Sequence, residues 1–473
     1  MSSGANRGLS AGRRSFEYLK GSNEGEMSQK GTPRIPCTTD SMTTRIKDTP
    51  ASDPRFVAIK KDIASSHPAF KEQVTKAWAE IIAELDQVTK AIVSQGPLYI
   101  PEIKFSDLAG LDPKHIEEIR KKGCVVIRDL VDDDEAIKWK DDLKEFVKTN
   151  PGVEVVPRNH PIFYELYWTK PQLAARAHPN MLATSIWFNN LFHSKSAQKI
   201  DGVDTSAPLT YADRVRIRSP GPWPGALPPH VDGATLERWE EPNMRVCFKD
   251  ILSGDWRSHD PYDLDGRLEA LTSLYNRPNQ CSVFRTFQGW LSMSNTGPKE
   301  GTIKFFPSVQ VANAYTMLRP FFRPLVPVDS PDIWDAKNWV YDVESPEFPG
   351  IVDLDGGYYQ RPTTKAHPHL RLEETLTSAP AVRPGDAVFW HCDVIHAVEV
   401  EHEGTQDSAV MYIPAVPTTP RNKAYVTAQY ERFIEGLRPA DFPQGPSERK
   451  FTGIGTPEDI VNAAGRQAMA IPV

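Results

Sequence analysis

The chain has 473 residues, long enough for one large core or for two to three ordinary domains. Its 55 Lys and Arg against 62 Asp and Glu leave a net charge of −7, which argues against non-specific nucleic-acid binding, and 39% hydrophobic residues support a real core without any apolar run long enough to cross a membrane as a helix. Five cysteines with no Cys-x-x-Cys pair exclude a disulfide framework and a zinc ribbon, so a reducing, cytoplasmic setting is expected.

Residues 1–50 are rich in Ser, Thr and Gly and read as a disordered arm. Arg7, Arg13 and Arg14 among small residues suggest a transit peptide, whereas Glu17, Glu24 and Glu26 oppose that reading. Over 69–94, Phe70, Val74, Trp78, Ile81, Leu85, Val88 and Ile92 recur every three or four positions and predict a long amphipathic helix, ended by Gly96-Pro97. A helix over 115–122, a strand over 123–131 and a second helix opened by Asp132–Glu135 follow; acidic residues there oppose the helix dipole. Residues 161–195 read as helical and aromatic, so 51–205 forms a helical region with one leading strand. From 206 the pattern turns β-rich, with strands expected over 213–218, 281–294, 301–306, 387–391, 395–400 and 408–416. Two insertions interrupt this 206–422 core: 237–278, expected to be helical, and 318–380, a Pro/Gly/Asp-rich stretch expected to be a structureless lid or binding loop. Residues 423–473 add one helix and a tail. The fold class is mainly β with α, an antiparallel barrel or sandwich with helices packed outside.

Two segments carry chemistry. In "PPHVDGATLERW" (228–239), an extended chain points His230 and Asp232 to the same side, although a surface histidine and a capping aspartate fit the same residues. In "RPGDAVFWHCDVIHAVEV" (383–400), a Gly-Asp turn precedes a strand and then His396 on an alternating segment. Two histidines and one carboxylate that leave neighbouring positions open make the facial triad of non-haem Fe(II) oxygenases. His391 is either a pocket residue or a core histidine, and His367 and His369 are a rival metal pair with no carboxylate placed beside them.

These segments, with "RIRSPGPWPGALPPHVDGATLERW", "CSVFRTFQGWLSMSNTGPKEGTIKFFP", "LRPFF" and "VMYIPAVP", resemble the Fe(II)/2-oxoglutarate dioxygenase superfamily, in its phytanoyl-CoA-hydroxylase-like branch, and more narrowly the YbiU-like DUF1479 family, over roughly 210–420. The resemblance implies a double-stranded β-helix (jelly roll) core, with Fe(II), 2-oxoglutarate and O2 as cofactors. Carried over by position, it makes His230, Asp232 and His396 the iron ligands and the catalytic centre. The implied reaction oxidises a C–H bond of a small anionic or zwitterionic substrate such as an amino acid, by hydroxylation or oxidative cyclisation, and releases succinate and CO2. The superfamily holds the far carboxylate of 2-oxoglutarate with an Arg on the strand after the second histidine, but 408–416 contains no Arg or Lys. Arg285, flanked at ±2 by Val283 and Phe287 on an expected strand, is the first replacement candidate; a structural ion pair suits it equally well. Arg421 is the second, with Arg216 and Arg218 next. The alternatives are a non-catalytic jelly-roll metal-binding sensor or scaffold and a cupin-like metalloenzyme that does not use 2-oxoglutarate. The expected partner is a small-molecule substrate, with neither nucleic acid nor membrane.

Overall fold

The computed structural model describes residues 51–275, 280–354 and 357–472. The expected arm, 1–50, lies outside them. The fold is mixed α/β, built around an eight-stranded sheet. In spatial order its strands are Glu102–Lys104, Cys124–Arg128, Ala387–His391, Phe287–Ser292, Ser408–Tyr412, Val215–Arg218, Phe163–Tyr164 and Val155–Val156. All neighbours pair antiparallel except the first two, which are parallel. A smaller sheet runs Thr377–Ser378, Ile303–Phe305, His396–Val398. The two sheets meet through Trp390, whose ring lies 5.7 Å from Phe305 and 5.2 Å from His396.

The pleat assigns the two faces of the large sheet. Trp390 stands opposite Gln288, Val388 opposite Trp290, Tyr412 opposite Trp290, and Val410 opposite both Ser292 and Arg216. This set shares the face that Trp390 turns to the small sheet. Phe287 and Phe389 take the other face, where Phe188 of the helix Pro179–Asn189 packs 4.4 and 4.5 Å from their rings.

The Pro384-Gly385-Asp386 turn ties the leading strand Cys124–Arg128 into this sheet. Gly385 has φ +84, and a Cβ there would lie 2.1 Å from the Val131 carbonyl oxygen, so the position requires glycine. Asp386 is buried and accepts from Arg128 Nη1 (2.6 Å) and from the N–H groups of Asp129 (3.0 Å) and Arg383 (2.9 Å). Asp132 caps the following helix, Asp133–Thr149, by accepting from the N–H groups of Asp134 and Glu135.

The helix Phe70–Gln95 buries the seven periodic residues read from the sequence. Its partner surface differs from expectation. The 318–380 stretch is not structureless: it contains the hairpins Phe322–Pro324/Trp339–Tyr341 and Ile351–Leu354/Gly357–Gln360. Phe322 stacks on Trp78 at 4.5 Å, and Phe348 and Ile351 join the same core. Strands of three or four residues are too short to display an alternation, which hid them among prolines and glycines. The helix Val309–Leu318 was also missed, because it is buried on every side except at Gln310 and so has no polar face. Conversely, the expected strand 281–294 is regular only over Phe287–Ser292. Before it, side chains replace the ladder: Asp441 accepts from Ser282 N (2.9 Å) and Oγ (2.7 Å), and Asn422 Oδ1 accepts from Phe284 N (3.0 Å). Within 161–195, Phe163–Tyr164 is a strand and only Lys170–Ala177 and Pro179–Asn189 are α-helical. No helix among the described residues is long and apolar enough to cross a membrane.

Candidate metal centre

His230 and His396 stand opposite one another and exchange both backbone hydrogen bonds, His230 N–H to His396 O at 2.9 Å and His396 N–H to His230 O at 3.0 Å. This pairing adds the His230 segment to the edge of the small sheet and sets the rings 4.1 Å apart, centroid to centroid. Each ring is oriented by a carbonyl two residues earlier. His230 Nδ1 lies 2.6 Å from Pro228 O and His396 Nδ1 lies 3.0 Å from Val394 O. A carbonyl can only accept, so each Nδ1 carries a proton and Nε2 is the nitrogen through which either ring, when neutral, can bind a metal. Both Nε2 atoms point at Asp232: His230 to Oδ1 at 3.5 Å, His396 to Oδ2 at 3.4 Å. The three residues each offer a ligand atom within 4.8 Å of the others.

Exposure is uneven within this group. The imidazole side chains are 5% exposed, whereas Asp232 is 34% exposed, so the carboxylate closes the cluster at its open side. Burial pushes the His230 imidazole down to about 4; His396 adds to that and Asp232 opposes it. Burial alone would raise the Asp232 carboxyl, but His230, then His396 and Arg285, outweigh it and hold the group well below the usual carboxylate range. At neutral pH the centre presents a neutral His230 and an ionised carboxylate, the protonation states that metal ligands require.

The candidate cations divide by their surroundings. Arg285 is not on a strand, so its alternation with Val283 and Phe287 does not define a face; its guanidinium lies 5.8 Å from the Tyr211 ring centre and acts electrostatically on Asp232. Arg421 is in the first turn of Pro420–Glu435, where it donates to the carbonyl oxygens of Ala270 and, at 3.3 Å, Glu269. Arg218 donates to Glu399 O (2.6 Å), Val400 O (2.6 Å) and Gly221 O (3.2 Å), which makes it a loop clamp. Arg216 differs from Arg218 and Arg421, whose guanidiniums hold backbone carbonyls. It is buried on the face of the large sheet shared with Val410 and Tyr412, and its Nε has no hydrogen-bond partner among the described residues. Gln288 Nε2 and Trp390 Nε1, on the same face, are buried and unpartnered in the same sense. Arg218 Nε, on that face too, is likewise unpartnered, so among the described residues the face carries four orphaned donors, a chemically consistent lining for an anion.

Residues not anticipated as neighbours complete the site. Trp390 is part of the buried core, and its ring lies 5.2 Å from that of His396. Tyr359, from the 318–380 insertion, lies 5.9 Å from the His230 ring. The rival pair His367 and His369 sits elsewhere, packed around Tyr315 at 6.0 and 5.5 Å. A second grouping of ligand-type residues, His391, Cys392 and Asp393, adjoins the centre. Its donors are already engaged: His391 Nε2 lies 3.0 Å from Pro261 O, His391 Nδ1 accepts from Asp393 N–H at 3.1 Å, and Asp393 is paired with Arg238 and Arg267. Burial pushes the Cys392 thiol up to about 12, so it offers no thiolate.

A mixed α/β protein with a large antiparallel sheet, a small facing sheet and a recessed two-histidine, one-carboxylate cluster is thus defined by its own geometry. The chain belongs to the Gig2-like family, whose model matches residues 50–471. It is 29% identical over 415 residues to the uncharacterized protein YbiU of Escherichia coli K12, covering 85% of this chain and 92% of that protein. The crystal structure of Gig2 (DUF1479) from Candida albicans superposes with a TM-score of 0.79 at 32% identity, over 89% of this chain and 90% of that one. A hypothetical protein of Escherichia coli, JW0805, superposes with a TM-score of 0.73 at 27% identity, over 90% and 100% of the two chains.

Proposed function

We propose that the two sheets are a double-stranded β-helix and that the protein is a non-haem Fe(II)- and 2-oxoglutarate-dependent oxygenase. The observation that carries the reading is the pair of histidines whose Nδ1 atoms are held by carbonyls, with both Nε2 atoms aimed at one carboxylate. His230, Asp232 and His396 would hold the metal through one face and leave the other open. With iron, 2-oxoglutarate and O2 bound, the centre would supply the oxidising power for a C–H bond of a small anionic or zwitterionic substrate, with succinate and CO2 as coproducts.

The chain's own residues do the rest. Trp390, Phe305 and Val388 exclude water from the space between the sheets. The orphaned donors of Arg216, Gln288 and Trp390, with Arg285 on the Asp232 side, favour a dicarboxylate there. Arg216 takes the place of the missing base on 408–416, because it pairs directly opposite Val410 of that strand. Succinate release that requires both Fe(II) and 2-oxoglutarate tests the reading; a protein that binds Fe(II) and not 2-oxoglutarate contradicts the cosubstrate. Losing a charge-assisted contact in a closed site costs about 2–4 kcal/mol, roughly 30- to 1000-fold in affinity. Arg216→Leu and Arg285→Leu are expected to weaken 2-oxoglutarate binding on that scale with iron binding retained, whereas Arg421→Leu leaves both unchanged.

A further inference from the structure

The segment that bears Asp232 is not held by regular secondary structure. Beyond the His230 pairing it turns sharply, with Ala234 N–H donating to Asp232 O at 3.1 Å. Ala234 itself has φ +73, a left-handed conformation that costs a non-glycine residue about 1 kcal/mol or more. Such a turn persists only where its surroundings fix it. Arg238 supplies the fixing contacts from the next helical turn: it donates through Nη2 to Gly233 O at 2.8 Å and through Nε to Ala234 O at 3.4 Å.

The same Nη2 reaches Asp393 Oδ1 at 2.8 Å, and Asp393 lies three residues before His396. Its other oxygen accepts from Arg267 Nη2 at 2.5 Å and Asn313 Nδ2 at 3.2 Å. Asp393 and Arg238 are fully enclosed, at 1% exposure each. The backbone closes on itself at the same place, because a Cβ on Gly233 would lie 2.7 Å from Cys392 O.

We propose that Asp393 and Arg238 are positioning residues that fix the Asp232 carboxylate relative to the two imidazoles, by clamping the Gly233–Ala234 turn onto the Cys392–Asp393 turn. The proposal rests on reading His230, Asp232 and His396 as the metal ligands. It assigns a role to a buried carboxylate that is not one of those three ligands.

The test is a Co(II) titration of the full chain, followed by visible absorption and paired with thermal unfolding, on wild type, Asp393→Asn, Gly233→Ala and Asp386→Asn. Asp386 is an equally buried carboxylate that ties the leading strand to the sheet, and it serves as the control for general loosening. Asp393→Asn and Gly233→Ala are expected to weaken Co(II) binding by about tenfold or more and to alter the ligand-field spectrum, as loss of an outer support does. Asp386→Asn is expected to lower the unfolding temperature and bind Co(II) as wild type does. If Asp393→Asn does not fold, Gly233→Ala and Arg238→Lys decide the matter alone. Wild-type affinity in the positioning variants overturns the proposal and leaves the metal centre standing, and equal weakening in Asp386→Asn overturns it as well. A wild-type chain that binds no Co(II) overturns the metal reading and the proposal together.

Discussion

Two His-x-Asp motifs stand in this chain, His230-Val231-Asp232 and His391-Cys392-Asp393, and they touch where Gly233 meets the Cys392 carbonyl. In the first, the His230 imidazole donates from Nδ1 to a carbonyl and aims Nε2 at the carboxylate. In the second, the ring is inverted: Nε2 lies against a carbonyl and Nδ1 accepts from a backbone N–H, so no lone pair remains. Asp232 faces two imidazoles and is one-third exposed; Asp393 faces two guanidiniums and is closed off. Identical residue types at identical spacing therefore give one group able to take a metal and one that is a buried ion-pair cluster. The difference lies in what meets the carboxylate.

The largest expected effect separates the two motifs by stability. Asp393→Ala leaves two buried guanidiniums uncompensated and should cost about 3–5 kcal/mol in chemical unfolding. Asp232→Ala should change metal-free stability by less than about 1 kcal/mol, because its carboxylate is partly solvated and pairs only with imidazoles. Similar losses in the two variants would erase the distinction.

Acid offers the next handle. Burial pushes His391 down to about 3 from 6.5, and does the same to His259 and His369. The folded chain binds fewer protons at these rings than the unfolded chain. Their contribution is complete above pH 6.5 and is lost as pH falls from there toward 3. Urea unfolding between pH 7.5 and 4.5 should show stability declining with acidity through this window; a flat profile would contradict neutral, buried histidines.

The smallest effect concerns the strained turn. Ala234→Gly removes the left-handed penalty and adds freedom to the unfolded chain, so stability should shift by less than about 1 kcal/mol. Thermal unfolding reads that shift, and a loss of several kcal/mol would mean that the Ala234 methyl packs tightly.

Much of the candidate site could be read from local pattern. His230 and Asp232 are two residues apart, and His396 follows a Gly-Asp turn whose glycine is required by the close approach of Val131 O. The amphipathic helix was legible because seven apolar residues keep one face over six turns. What was not legible depends on long-range partners. Asp393 takes its meaning from Arg238, Arg267 and Asn313, each at least 80 residues away in sequence. The face argument for Arg285 failed because 281–286 is held by Asp441 and Asn422 side chains instead of by a strand ladder. A sequence also does not reveal which arginines are already engaged, as Arg421 is by the carbonyls of Ala270 and Glu269.

The most direct test of the central claim is anaerobic Fe(II) binding measured by equilibrium dialysis on wild type, His396→Ala and Cys392→Ser. The account predicts one Fe(II) per chain in wild type, none in His396→Ala at the same protein concentration, and one in Cys392→Ser. Full binding in His396→Ala, or its loss in Cys392→Ser alone, would place the metal at the other motif and contradict the account.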